Sequence, residues 1–232
     1  MKLEEFIENC EKQGLHLNEH QIKQFCDYAA LLKEWNEKMN LTAIVEFEEV
    51  LDKHFYDSLL PAFTNQIQGH LCDVGSGAGF PSIPLKIAYP DLAITILEPL
   101  GKRVKFLEEV KNQLHLANVN CINERAEDYA SKHRESFDIV TARAVANLNI
   151  LSELCIPLVK KDGYFLAMKG ANGVQESEDA KQAISTLGCV LERTETRTLN
   201  DGSSRINLVY KKIKATPVGY PRMFAKIKKN PL

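Results

Sequence analysis

The stretch LCDVGSGAGFP (71–81) decides the fold. An apolar run from Leu71 to Val74 breaks into a loop carrying Gly75, Gly77 and Gly79, and a helical pattern then extends from Phe80 to Ala88. A strand that turns through glycine into a helix at the carboxyl edge of a parallel sheet exposes backbone without Cβ atoms, so a ligand can approach closely. A dinucleotide fingerprint would place its third glycine where Phe80 stands, and no Gly-Lys-Ser/Thr follows to make a Walker loop. Asp73 lies near the end of the apolar run, where a carboxylate is costly unless it is paired or meets a cationic ligand group.

Downstream, short apolar runs alternate with helical stretches. Strands are read at 71–75, 93–99, 119–123, 137–143, 163–169, 189–197 and 205–212. Helices are read at 80–88, 103–116, 126–132, 147–159 and 174–187 between them. Such alternation predicts right-handed crossovers and a doubly wound, mostly parallel α/β sheet of seven strands, closed by a C-terminal antiparallel hairpin. Glu98 ends the second strand, where an acid can accept both ribose hydroxyls of a nucleoside cofactor. An ordinary solvated carboxylate is the alternative. Upstream, residues 1–66 read as a helical region: one helix ends near Gly14, a capping box spans Asn18 to Gln21, and a third helix stops at Pro61.

The 232 residues carry 29 Lys+Arg and 31 Asp+Glu, a formal net charge of −2, which argues against a uniformly basic nucleic-acid binder. The average hides segregation. Seven of the cations and no acid lie in residues 211–232, so the remainder of the chain stands at −9. Residues 213–232 are read as a basic tail, with Tyr220 and Phe224 among the cations, suited either to phosphate and base contact or to plain solvation. The acidic N-terminus lacks a signal-peptide pattern and no apolar run would span a bilayer, so a cytoplasmic protein without membrane association is expected. The six scattered cysteines form no CxxC, which predicts reduced, mostly buried thiols and no metal site.

Motifs along almost the whole chain carry a resemblance: MNLTAI (39–44), HFYDSLLP (54–61), CDVGSGAGFPSIPLKI (72–87), GKRVKFL (101–107), RAED (125–128), DIVTARAVA (138–146), LVKKDG (158–163), LAMKG (166–170) and YPR (220–222). With these the sequence resembles the Rossmann-like S-adenosylmethionine-dependent methyltransferases, and within them the ribosomal small-subunit methyltransferase G family, also called glucose-inhibited division protein B. The resemblance implies transfer of a methyl group from S-adenosylmethionine to N7 of a guanine in the decoding-region loop of 16S ribosomal RNA. The partner would be that RNA, the small subunit or an assembly intermediate, and the enzyme is taken as a monomer. Carried over, Gly75 and Phe80 would line the cofactor's methionine and sulfonium end, Glu98 its ribose, and Ala126 and Glu127 its adenine, with Asp73 and Gly77 also binding the cofactor. Arg143 would sit beside the methyl donor. The family often has Asp-Ser where Glu98-Pro99 stands.

The residues themselves agree with an acceptor that needs no deprotonation. A carbon acceptor in a pyrimidine needs a Cys nucleophile, and Cys155 lies mid-helix between apolar neighbours. No Asn/Asp-Pro-Pro-aromatic turn for an exocyclic amine follows the fourth strand, which reads Thr141-Ala142-Arg143-Ala144. Guanine N7 attacks through an in-plane lone pair, leaving alignment and electrostatics as the main demands. No catalytic residue is assigned, although Arg143 is a candidate; it can read a base, contact cofactor or phosphate, or pair with an internal acid. His54 and Asp57 share a helix face, bonded to each other or placed at the cleft. Lys102 and Arg103 begin a helix, against its dipole, and with Lys169 and Arg222 they are the expected RNA contacts. An NAD(P)-dependent oxidoreductase is disfavoured by Phe80, and a non-catalytic RNA-binding factor by the intact Asp73, Gly75, Gly77 and Glu98.

Overall fold

A computed structural model describes residues 1–232. Helices α1 (Leu3–Lys12) and α2 (Glu19–Met39) lead into α3 (Phe47–Val50), a π-helical turn at Leu51–Tyr56, α4 (Asp57–Leu59) and a 3₁₀ turn at Leu60–Phe63. The alternating part runs β1 (His70–Val74), α5 (Ser82–Ala88), β2 (Ala93–Leu97), α6 (Gly101–Gln113), β3 (Val119–Ile122), α7 (Ala126–Lys132), β4 (Phe137–Arg143), α8 (Leu148–Cys155) and β5 (Val159–Lys169). It closes with α9 (Gly173–Asp179), α10 (Lys181–Leu187), β6 (Cys189–Thr198), β7 (Ser204–Lys212) and α11 (Phe224–Lys229). The sheet order is β3-β2-β1-β4-β5-β7-β6, with β7 alone antiparallel to its neighbours. The helix expected over 147–159 stops earlier: Pro157 stands in a 3₁₀ turn and β5 begins at Val159. No helix is long and apolar enough to cross a membrane.

Because side chains alternate across a strand, each strand feeds two cores. Leu71, Ile94, Ile139, Leu166 and Val209 face a core completed by Phe6, Phe25, Tyr28 and Phe55 from the N-terminal helices. Cys72, Val140, Phe165 and Leu208 face the other core, with Leu151, Leu154 and Ile184. The thiols are all free, and Cys10, Cys72, Cys155 and Cys189 are buried.

Residues 1–66 therefore share their core with the sheet. The Asn18–Gln21 capping box forms, and α2 then turns polar side chains inward as well as apolar ones. Gln21 Nε2 donates to the carbonyls of Ile87 and Ala88, 2.8 and 3.1 Å away, and Gln24 Nε2 to that of Leu114 at 2.7 Å. These are orphan acceptors at the carboxyl ends of α5 and α6, and a buried helix end needs such partners.

The stretch expected to be a tail is packed instead. Ile227 is fully buried, Phe224 and Leu232 lie on the second core, and Arg222 binds Glu153 through Nε at 2.9 Å and Nη2 at 2.6 Å. Lys212 is also buried, donating to Ile156 O at 2.9 Å and pairing with Glu135 at 3.3 Å. Arg222, expected as an RNA contact, is thus a structural cation, since its guanidinium neutralises a carboxylate with no exposure of its own. Removing one partner of a buried pair leaves the other charge uncompensated. Arg222→Ala is expected to lower stability by about 3 kcal/mol in urea unfolding. A loss below about 0.5 kcal/mol would mean that the C-terminal segment does not depend on this pair.

Candidate active site

The expected site residues gather at the carboxyl ends of β1 to β5, at the switch point where β1 and β4 diverge in chain order. Gly75, Gly77 and Gly79 all have positive φ, but for different ends. A Cβ on Gly79 would lie 2.6 Å from Ile83 Cγ1 and 2.8 Å from Tyr28 Oη, so this glycine serves packing. A Cβ on Gly77 would meet nothing within 4 Å, so this glycine has open space above it.

Two carboxylates hold the loop. Asp73 is fully buried, and its Oδ2 accepts from the Ser82 amide at 3.1 Å while Oδ1 has no partner. Burial pushes its pKa up to about 7, against the pull of the Ser82 hydrogen bonds. Ser76 Oγ, in the same loop, is likewise buried without a partner. Glu98 is 1% exposed; Oε2 accepts from Gly77 N at 3.1 Å, Oε1 from Leu100 N at 3.0 Å, and Arg103 Nη1 stands 3.7 Å away. A carboxylate has about four acceptor positions, so Glu98 retains capacity for hydroxyl donors. Asn123 Nδ2 fixes the Glu98 carbonyl at 3.0 Å. Ala126 and Glu127 begin α7 just beyond β3, both buried, with Glu127's carboxyl raised by desolvation.

Beside the loop, Arg143 organises a second cluster. Its Nη1 donates to Asp57 Oδ2 at 2.7 Å and to Lys53 O at 3.3 Å, and Arg205 Nε donates to the other Asp57 oxygen at 3.0 Å. Arg143 Nη2 lies 3.3 Å from His54 Nδ1. Arginine has no acceptor, so Nδ1 must accept, and the proton sits on Nε2, which faces Thr42 Oγ1 at 2.9 Å. His54 and Asp57 thus each bind Arg143, not one another; the π turn between α3 and α4 widens the helix just where His54 lies. The Phe80 ring stacks on His54 at 4.3 Å with Arg143 over its face at 5.0 Å, and is 5% exposed. It supports the cluster from behind and does not itself line the cleft. Ala144 follows with φ +56, a left-handed conformation rare for a residue with a Cβ and frequent at functional sites.

A cleft of about 560 Å³ opens between Arg143, Val145, Asn147, Met168, Lys169 and Glu176. Val145 Cγ2 would touch a Cβ on Gly75 at 2.9 Å, so the cleft adjoins the glycine loop. Lys169 is brought here, but buried: its Nζ donates to Ala146 O at 2.6 Å and pairs with Glu176 at 2.7 Å. It is therefore a cleft residue and not an exposed phosphate contact. Lys102 is exposed on α6, whereas Arg103 is drawn toward Glu98. Tyr28, Asn123, Arg205 and Glu176 were not found from sequence. Only Asn123 carried a local signal, as the polar end of the third strand.

The strand order, the glycine loop and the acid ending β2 define the Rossmann-like methyltransferase fold. Solved structures share it at low identity. M. jannaschii TYW2 in complex with AdoMet aligns with TM-score 0.54 and 16% identity over 69% of this chain and 76% of that one. The 16S rRNA (adenine(1408)-N(1))-methyltransferase of Catenulisporales acidiphilia aligns with TM-score 0.51 and 13% identity over 64% and 86%. Residues 21–205 match the model of GidB, rRNA small subunit methyltransferase G. Proteins named ribosomal RNA small subunit methyltransferase G from Lysinibacillus sphaericus and Bacillus subtilis are 49% and 48% identical. The first alignment covers 96% of this chain and 95% of the relative, the second 100% and 99%. The chain belongs to the rRNA small subunit methyltransferase G family.

Burial and the Arg143 charge push the His54 pKa down from 6.5 to about 3. Below about 6.5 the unfolded chain binds a proton that folded His54 refuses, so this residue costs stability as pH falls, by about 1.4 kcal/mol per pH unit. Asp73 acts oppositely, since its folded pKa lies above the unfolded 3.8 and its contribution is lost as pH rises through about 7. His54→Gln removes the first effect alone. Its thermal stability is expected to gain on the wild type between pH 6.5 and pH 5; a gap independent of pH in parallel melts would contradict the neutral, caged imidazole.

Proposed function

We propose that the protein transfers the methyl group of S-adenosylmethionine to N7 of a guanine in the decoding-region loop of 16S rRNA, within the small subunit or an intermediate of its assembly in the cytoplasm. The observation that carries this reading is the absence of a free base beside Arg143. His54 has both ring nitrogens engaged, Asp57 is shared between two guanidiniums, and Cys155 is fully buried. An acceptor requiring proton removal would find none of these groups free to take the proton. Guanine N7 has none to give.

The residues present suit the cofactor. S-adenosylmethionine supplies a methyl group on a positively charged sulfur, together with an ammonium, a carboxylate, a ribose and an adenine. Asp73 Oδ1 and Ser76 Oγ are polar atoms lacking partners within the protein, and they suit the amino-acid end. Gly77 leaves room above the loop, Glu98 keeps acceptor capacity for ribose hydroxyls, and Ala126 and Glu127 stand where an adenine would follow. Arg143, fixed by three acceptors, holds positive charge and shape at the end of β4. Its part is to orient the incoming base, and alignment of reactants in a water-poor site can supply on the order of 7–11 kcal/mol of the barrier. Lys102 is a surface cation for the RNA backbone, which in an otherwise acidic body makes binding weaken steeply with salt.

Mapping 7-methylguanine in small-subunit rRNA from cells with and without this protein is expected to show one mark that depends on it; identical maps would sink the assignment. Gly77→Ala tests the cofactor loop. Its Cβ meets open space, so stability should fall by only about 1–2 kcal/mol for the left-handed backbone. Calorimetric affinity for S-adenosylmethionine should fall at least about tenfold, because the methyl would stand in the open space above the loop that the cofactor is proposed to fill. Wild-type affinity would place the cofactor elsewhere.

A further inference from the structure

The cleft beside the glycine loop holds an ion pair that the transfer chemistry leaves unused. Glu176 on α9 uses one carboxylate oxygen for everything: Oε2 accepts from the Leu148 amide at 2.9 Å, capping α8, and from Lys169 Nζ at 2.7 Å. Oε1 has no hydrogen-bond partner in the protein, and Glu176 lines the cleft wall with Lys169, Met168 and Val145. Lys169 Nζ, with three hydrogens, donates to Ala146 O and lies in an ion pair with Glu176, which leaves a hydrogen for a further acceptor. The wall thus offers a donor and an acceptor side by side, held rigidly by a helix cap and a strand end.

That row is the complement of one nucleobase edge. Guanine presents an acceptor, O6, beside two donors, N1–H and N2–H₂. Adenine presents a donor beside an acceptor, the inverse. Cytosine is also inverted, and uracil offers only one donor, flanked by acceptors. We propose that Glu176 is the guanine-specificity residue of this site: Oε1 accepts from N1–H and N2–H₂ while the remaining Lys169 hydrogen meets O6. The inference rests on the reading of the protein as a guanine methyltransferase and adds how the base is chosen. Reading that edge leaves N7, which lies beyond O6 on the adjoining Hoogsteen edge, free to react. Val145 and Met168 supply apolar walls for the ring faces, as in most sites that hold a planar ligand.

Glu176→Gln isolates the claim. Leu148 N–H and Lys169 both donate, so the amide oxygen must stay with them and the NH₂ must take the place of Oε1. The cap survives, and a donor now faces the guanine donors. Full-length enzyme and variant are compared on RNA carrying guanine or inosine, which lacks only N2–H₂, at the methylated position. Unchanged calorimetric affinity for S-adenosylmethionine controls for folding. On guanine the variant should lose about 10- to 100-fold in kcat/KM, the worth of a hydrogen bond to a charged group. The wild type should prefer guanine over inosine by about tenfold or more, and Glu176→Gln should treat the two alike within about twofold. A variant that keeps the wild-type rate on guanine, or keeps the wild-type preference, overturns the proposal while 7-methylguanine still forms. A wild type that forms no 7-methylguanine overturns the parent reading with it.

Discussion

Two carboxylates buried at the ends of adjacent parallel strands are the constraint on which the rest depends. Asp73 and Glu98 have almost no exposure, and each is held by backbone amides of the segment that follows its strand, or of its neighbour's. An ionised carboxylate out of water needs donors, and a loop that turns sharply to bring an amide toward one is eased by positive φ. Gly75, Gly77 and Gly79 supply that freedom, so the loop that satisfies the acids is also the loop that opens the cleft. One amide of Gly77 ties β1's loop to β2's acid and fixes both halves of the site together.

The helices before the sheet hold this arrangement from behind. Tyr28 Oη donates to Ala78 O within the glycine loop, and its ring packs on Phe55 and Phe80. Phe80 carries His54, His54 meets Arg143, and Asp57 joins Arg143 to Arg205 on β7. A continuous set of contacts therefore runs from α2 through the loop to β4 and β7. The segment before residue 67 positions the site as directly as the strands do, and the packed C-terminal segment reaches it too, through Phe224 beneath Arg125 at the start of α7.

Much of this was legible because it rests on local patterns. Parallel strands buried on both faces read as continuous apolar runs, so an acid within one, such as Asp73, stands out. Asn18 and Gln21 announce a capping box by spacing alone. The C-terminal segment departs from its local pattern for a reason of the same kind. Lysines, prolines and glycines in a row describe solvation unless a buried acid waits elsewhere, and Glu153 lies 69 positions away. Glu176 and Arg205 are alike in this: each is an ordinary charge in sequence until the fold sets it beside Lys169 or Asp57.

By itself the sequence determined the strand-helix alternation, the glycine loop, the acids that end β1 and β2, and the kinship with the methyltransferase G family. Periodicity, turn chemistry and motif spacing are properties of neighbours in the chain. Only the tertiary structure decided which charges are spent inside the protein and which face a ligand. His54 is neutral, Arg222 is structural and Lys169 belongs to the cleft wall because each meets its partner across the fold. The energy of a charge depends on its distance from other charges and from water, and the order of residues along the chain does not contain those distances.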